Sequence, residues 1–168
     1  MHIIAAVSIN GLIHLERKRG AFKNEDANSW LRRMLQSCQS RNLSNVVIVC
    51  DNAPCHSRFL EVTQEEAFKD MCVLLKLGPY SPMLNPTENL WSAMKSKVKT
   101  SLAANQASIL QDHTASQMTQ GEYRMQRLEQ IVDMSMAEMT TDLCIRSCNH
   151  VQKFFARALR MEDMPVGE

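Results

Sequence analysis

Five apolar residues stand in a row at Val46-Val47-Ile48-Val49-Cys50, four of them β-branched, and no polar residue interrupts them. As a strand this run has no side to turn to water. Such runs belong to parallel strands covered on both faces. Asp51-Asn52-Ala53-Pro54 ends the run, a helical stretch follows from Ser57 to Asp70, and a second apolar strand covers Cys72 to Leu77. Strand, helix and strand of these lengths make a βαβ unit. Its crossover is right-handed in nearly all cases, which sets the two strands parallel and close in one sheet. The fold class is therefore α/β.

The flanking segments add a hairpin and helices. His2 to Ile9 is β-rich, Asn10-Gly11 is a favoured two-residue hairpin loop, and Leu12 to Glu16 reads as the return strand. The charged stretch from Glu16 to Asp26 predicts a loop. Trp30, Leu31, Met34, Leu35 and Cys38 recur at helical spacing, with Asn28 or Ser29 as N-cap. Between Gly78 and Pro86, three prolines fix their own φ and hold their predecessors extended, so this loop is stiff. A helix starts there and runs past Lys99. Ser101 to Gly121 predicts a broken helix. Two apolar stripes follow, Met125, Leu128, Val132, Met136 and Met139, then Cys144, Cys148, Val151, Phe155 and Ala158. The expected organisation is an α/β core over residues 1–100 and a helical extension over 101–168 packed on it.

Composition narrows the function classes. With 45% apolar and 22% charged residues over 168 positions, the chain is globular and long enough to bury a core. A net charge of +1 excludes a globally basic nucleic-acid binder, so any phosphate binding must come from a local patch. No apolar run is long enough to cross a bilayer. Met1-His2-Ile3-Ile4 has no basic n-region, so secretion is not expected. Six cysteines are too sparse for a disulfide scaffold and read as reduced thiols inside the cell. Cys50, Cys55 and His56 lack a second Cys/His pair at zinc-finger spacing.

Two carboxylates carry the candidate chemistry. Asp51 ends the buried strand, at the edge where α/β ligands sit, and suits a hard cation. Asp-Asn pairs also make simple Asx-turns. Glu88 lies in Asn85-Pro86-Thr87-Glu88, whose spacing fits a helix-capping box that needs no ligand. Yet Glu88 shares a helix face with Ser92, Lys95 and Lys99, beside the buried face of Leu90, Trp91, Met94 and Val98. Two carboxylates brought together repel each other unless a divalent cation lies between. Such pairs build two-metal phosphoryl-transfer sites, and Lys95 and Lys99 would then contact phosphates. Arg146, His150, Lys153, Arg157 and Arg160 line one face of the last helix, and Thr140 to Arg160 holds four Lys/Arg against one Asp. That face is a solvated surface, a rail for a phosphate backbone, or an ion-pairing partner of Glu122, Glu129 and Asp133 on the preceding helix.

Val46 to His56 (VVIVCDNAPCH) and Leu77 to Trp91 (LGPYSPMLNPTENLW) closely resemble the catalytic core of mariner-type transposases. So does a hairpin with Asn10-Gly11 followed by a Trp-Leu helix. The resemblance covers residues 2 to 100 and extends loosely to the last helix, at Phe154-Phe155 and Glu162-Asp163-Met164. It implies a ribonuclease-H-like mixed sheet and an Asp, Asp, Asp/Glu triad holding two Mg²⁺ (or Mn²⁺). Asp51 matches the second acid and Glu88 the third, with 36 residues between them. Asn52, His56 and Asn85 match motif positions without an assigned role.

The resemblance also implies a first acid on a strand upstream of the hairpin, lying between the hairpin and the Asp51 strand. No Asp precedes Asp26 here, and Glu16 and Glu25 fall in other elements. The family's paired helix-turn-helix region is likewise not among these residues. The expectation is an incomplete transposase or endonuclease core with impaired metal binding and no strand transfer. Its partners would be DNA and a second copy or a full-length transposase, in the nucleus of a eukaryote. Lacking the intervening strand, His2–Ile9 is expected to close on Val46–Cys50 as an antiparallel pair, with marginal stability. The alternatives are a non-catalytic remnant that binds DNA or a protein, and a metal phosphatase or nuclease of another ribonuclease-H-like branch.

Overall fold

The computed structural model describes residues 1–111, 117–137 and 139–163. These form a mixed α/β structure with two two-stranded sheets and six α-helices. Strand β1 (His2–Ser8) and strand β2 (Gly11–Lys18) pair antiparallel. The loop is Ile9-Asn10, one residue earlier than Asn10-Gly11, because Gly11 itself pairs with Ser8. Gly11 has φ +104, which disfavours any side chain, and an added Cβ would meet Thr141 Oγ1 at 3.0 Å. Ile13 is an extra residue between the pairs Val7–Leu12 and Ala6–His14. This bulge turns Ile13 to the same side as Ile4 and Ala6, while Leu15 faces the opposite side with Ile3 and Val7.

Helix α1 (Asn24–Ser40) begins before the expected Asn28 or Ser29 cap. The Lys23 N–H donates to Asp26 Oδ2 at 3.0 Å, so Asp26 closes the first turn and Asn28 lies inside the helix, buried. Strand β2 also runs on to Lys18, so the charged loop is shorter than expected. The predicted apolar face of α1 is the buried one: Trp30, Leu31, Met34, Leu35 and Cys38, joined by Ala27.

Strand β3 (Val46–Cys50) pairs parallel with strand β4 (Cys72–Lys76), Val46 opposite Cys72. The intervening segment differs from the expected Ser57–Asp70 helix. It holds a 3-10 turn at Pro54–His56 and a short helix α2 (Phe59–Thr63), then turns. In one continuous helix, Phe68 would point about 180° away from Phe59. The turns, among them Phe68 N–H to Glu65 O at 2.8 Å, let Phe59, Val62 and Phe68 all reach the core under α1.

The expected burial of β3 on both faces is not observed. Val47 and Val49 are 61% and 43% exposed, and Val73 and Leu75 beside them are also exposed. Alternate side chains Val46, Ile48 and Cys50 pack on the α1 core, and among the described residues nothing covers the opposite face. Nor does β1 close on β3. Among the described residues, each has one strand partner and one free edge. All residues of both strands line a groove of about 1090 Å³. One face of the hairpin packs on the α1 core and the other on Leu90, Met94, Met139 and Cys144.

Helix α3 (Pro86–Ala104) and helix α4 (Gln106–Gln111) realise the broken helix up to residue 111, the stretch 112–116 lying outside the described residues. Helices α5 (Gln120–Ala137) and α6 (Thr141–Leu159) pack on α3, and α6 also touches β1, β2 and the turn at Pro82–Leu84. On α5, Ile131, Val132 and Ser135 are buried, and Met136 together with Met139, beyond the helix end, joins the α3 cluster. On α6 the buried residues are Cys144, Ser147, Val151 and Phe154, and Phe155 is 48% exposed. Of the predicted stripe, Cys144 and Val151 are buried, while Cys148, Phe155 and Ala158 are partly or largely open to the groove.

Candidate active site

Asp51 follows β3 directly, and the turn behind it is closed by His56 N–H to Ala53 O at 2.8 Å. Its Oδ1 accepts the Ala53 N–H at 3.0 Å and pairs with His56 Nδ1 at 2.7 Å. A carboxylate only accepts, so Nδ1 is the donor. The His56 ring stacks on Phe59, centroids 4.6 Å apart, and Phe59 in turn stacks on Trp30 within the core. The Asn52 amide donates to the Leu77 carbonyl and ties the end of β3 to the end of β4.

The proline loop leads from β4 to Glu88. Pro79 and Pro82 flank Tyr80, which is 94% exposed with φ +55, a left-handed conformation unusual for a bulky residue. Asn85 is buried and caps α3, its Oδ1 accepting Thr87 N–H at 3.1 Å and the Thr87 hydroxyl at 2.7 Å. A full capping box would also need the Glu88 carboxylate on the Asn85 N–H. That N–H instead donates to Pro82 O at 3.0 Å. The Glu88 carboxylate is therefore not used in the cap. It lines a cavity of about 160 Å³ together with Asp51, Asn52, Tyr80 and Asn85.

The structure thus brings Asp51, Asn52, Asn85 and Glu88 to one cavity, with His56 behind Asp51. Among the described residues no three His, Cys, Asp or Glu side chains are gathered as metal ligands. The donor set is two carboxylates. It fits a hard cation that keeps most of its waters, as Mg²⁺ does, and does not fit closed tetrahedral zinc. Burial raises the thiol pKa of Cys50 and Cys55, and the Asp51 charge adds to the effect, so both favour the protonated thiol.

The basic candidates lie apart from this cavity. Lys95 and Lys99 are exposed two and three turns along α3 from Glu88. On α6, Arg146 pairs with Asp142 at 2.9 Å and Arg160 pairs with Glu162. His150 is half-buried edge-on to Phe154, so it is not part of the open face. Lys153 and Arg157 are exposed and have no ion-pair partner among the described residues. Ion pairing between α5 and α6 is not what the structure shows. Glu122 and Glu129 hold Arg19 at 2.9 and 2.6 Å, and Asp133 holds Arg17 at 2.8 Å, so the acids of α5 clamp β2. The Arg19 hydrogen bond lowers the pKa of Glu129, which keeps that clamp charged. The pairing of His56 with Asp51 was missed in the sequence. Its one signal is Pro54, which starts a turn that brings position i+5 back to i.

A parallel strand pair with one carboxylate at its end, and a capped helix that brings a second to the same cavity, fits a nuclease-type α/β domain. Residues 1–111 match the DDE superfamily endonucleases, and the chain belongs to that family. Members act on DNA and generally use divalent metal ions. No curated protein matches the chain in sequence. Among the described residues no helix is long and apolar enough to cross a membrane.

Proposed function

We propose that these residues carry two of the three acids of a mariner-type transposase centre, built on a ribonuclease-H-like core. Asp51 and Glu88 would hold Mg²⁺ or Mn²⁺ against a DNA phosphodiester. The observation that supports this best is that Glu88, which could have closed its own helix cap, leaves that role to Pro82 and lines the cavity of Asp51. A bound divalent cation would supply charge stabilisation at the phosphate oxygens. Asp51 and Glu88 position that charge, Asn85 sets the helix that carries Glu88, and Asn52 locks the two strand ends. Lys95 and Lys99 extend along α3 roughly 10 and 16 Å from Glu88 at 1.5 Å rise per residue, in reach of flanking phosphates.

Mn²⁺ titration followed by electron paramagnetic resonance tests this reading. The wild type is expected to bind, and Asp51→Ala and Glu88→Ala each to weaken binding by about tenfold or more. Equal affinity in all three proteins would overturn the reading.

A second reading, a non-catalytic remnant that binds DNA through α6, is favoured by a separate observation. The acids of α5 are spent on Arg17 and Arg19, which leaves Lys153 and Arg157 unneutralised by that helix. Replacing Lys153, Arg157 and Arg160 by Ala is expected to weaken non-specific duplex binding. The salt dependence should flatten by up to about 2.7 in log–log slope, at about 0.9 per phosphate contact. Unchanged affinity and slope would reduce α6 to an ordinary solvated face.

A further inference from the structure

We infer that His56 is the positioning residue of the Asp51 carboxylate: its Nδ1–H holds Oδ1, so that Oδ2 is the oxygen Asp51 offers to a divalent cation. The inference rests on the proposed cation-binding role of Asp51 and Glu88. Oδ1 already accepts two hydrogen bonds, from Ala53 N–H at 3.0 Å and from His56 Nδ1 at 2.7 Å. Oδ2 has no protein partner among the described residues. A carboxylate with one oxygen held at two points cannot rotate about its Cβ–Cγ bond without losing both bonds. Its second oxygen is then presented in one orientation before any cation arrives, which removes part of the ordering cost of binding.

The imidazole is itself anchored. His56 closes the 3-10 turn at Pro54–His56, and its ring lies on Phe59 at 4.6 Å and 28° between planes. Phe59 is among the largest fully buried side chains and stacks on Trp30 of α1 with ring centroids 6.4 Å apart. A chain of contacts therefore runs from the α1 core through Phe59 and His56 to Asp51. His56 lines the large groove but not the small cavity that Asp51 shares with Glu88, and its Nδ1 is committed to Asp51 Oδ1. It acts on the cation through Asp51 and not as a ligand. Outer hydrogen-bond partners of metal ligands typically contribute tenfold to a hundredfold in metal affinity.

The test separates the hydrogen bond from the packing. His56→Ala, His56→Asn and His56→Gln all remove the ring from Phe59. Only Asn places an amide N–H where Nδ1 stands, since Gln is longer by one methylene. Mn²⁺ affinity is read by electron paramagnetic resonance, with thermal melting recorded alongside. Asp51→Ala and Glu88→Ala serve as the reference. We expect His56→Ala and His56→Gln to bind Mn²⁺ about tenfold more weakly and His56→Asn to recover most of the loss, at similar melting temperatures. If the wild type binds Mn²⁺ in an Asp51- and Glu88-dependent way while His56→Ala matches it, or His56→Asn matches His56→Ala, this inference fails alone. If the wild type shows no Asp51-dependent binding, the inference and the functional reading fail together.

Discussion

Given pre-cut transposon-end DNA with Mg²⁺ or Mn²⁺, a polypeptide of residues 1–168 is expected to yield no strand-transfer product. In-line phosphoryl transfer by two metals needs ligands enough to clamp both the attacking and the leaving oxygen. Two carboxylates and their waters suffice for one cation, and among the described residues no third acid joins Asp51 and Glu88. With one cation a phosphate is polarised while one of the two reacting oxygens stays uncompensated. The geometry also shows where a third carboxylate could enter. The large groove between β1 and β3 runs up to Asp51 and Glu88, so a segment lying along those free edges would end at the acid pair. A strand-transfer product that disappears in Glu88→Ala would overturn the expectation and show that another residue of these 168 completes the set.

The parallel pair and the acid at its end were legible because local and global preferences agree there. An unbroken β-branched run can be little else than a strand, and Asp51-Asn52-Ala53-Pro54 can be little else than its stop. The face of α1 and the start of α3 were legible for the same reason, through periodicity and a proline at the first helical position. What was not legible depended on contacts distant in sequence. The hairpin turn moved by one residue because Gly11 pairs with Ser8 as the first residue of β2, leaving Ile9-Asn10 as the loop. The helix after β3 stopped early because Phe59 and Phe68 must enter one core, which helical periodicity forbids. On α6, Phe154 rather than Phe155 is inside, since the helix lies against α3 and the hairpin while Phe155, Ala158 and Leu159 face the groove. The role of Glu88 was ambiguous in sequence between cap and ligand, and the Asn85 N–H bond to Pro82 O leaves the carboxylate out of the cap. The burial of β3 is the most instructive difference. Its composition asks for cover on two faces, and these residues supply cover on one.

That uncovered surface leads to the second large effect, concentration-dependent association of the 19.1 kDa chain. Val46 N–H bonds to Met71 O and Leu77 N–H to Cys50 O, so the even-numbered positions of β3 aim their backbone groups at β4. Val47 and Val49 therefore turn their N–H and C=O groups to the free edge. The side chains of Val47, Val49, Val73 and Leu75 form an open apolar face beside it, with Phe155 and Leu159 exposed across the groove. An edge with unpaired donors next to an apolar face is a template for another strand. Light scattering after size exclusion is expected to give a mass that rises above the monomer with concentration. A dye that binds apolar surface should be bound by the folded protein. Val47→Lys with Val49→Lys places two charges on that edge strand. Both side chains already stand on the exposed face of β3, so the helical circular dichroism and the melting temperature should change little. The double variant is expected to stay monomeric over the same concentrations. A wild type that remains monomeric throughout, or a double variant that associates as readily, would show that the open edge of β3 does not drive association.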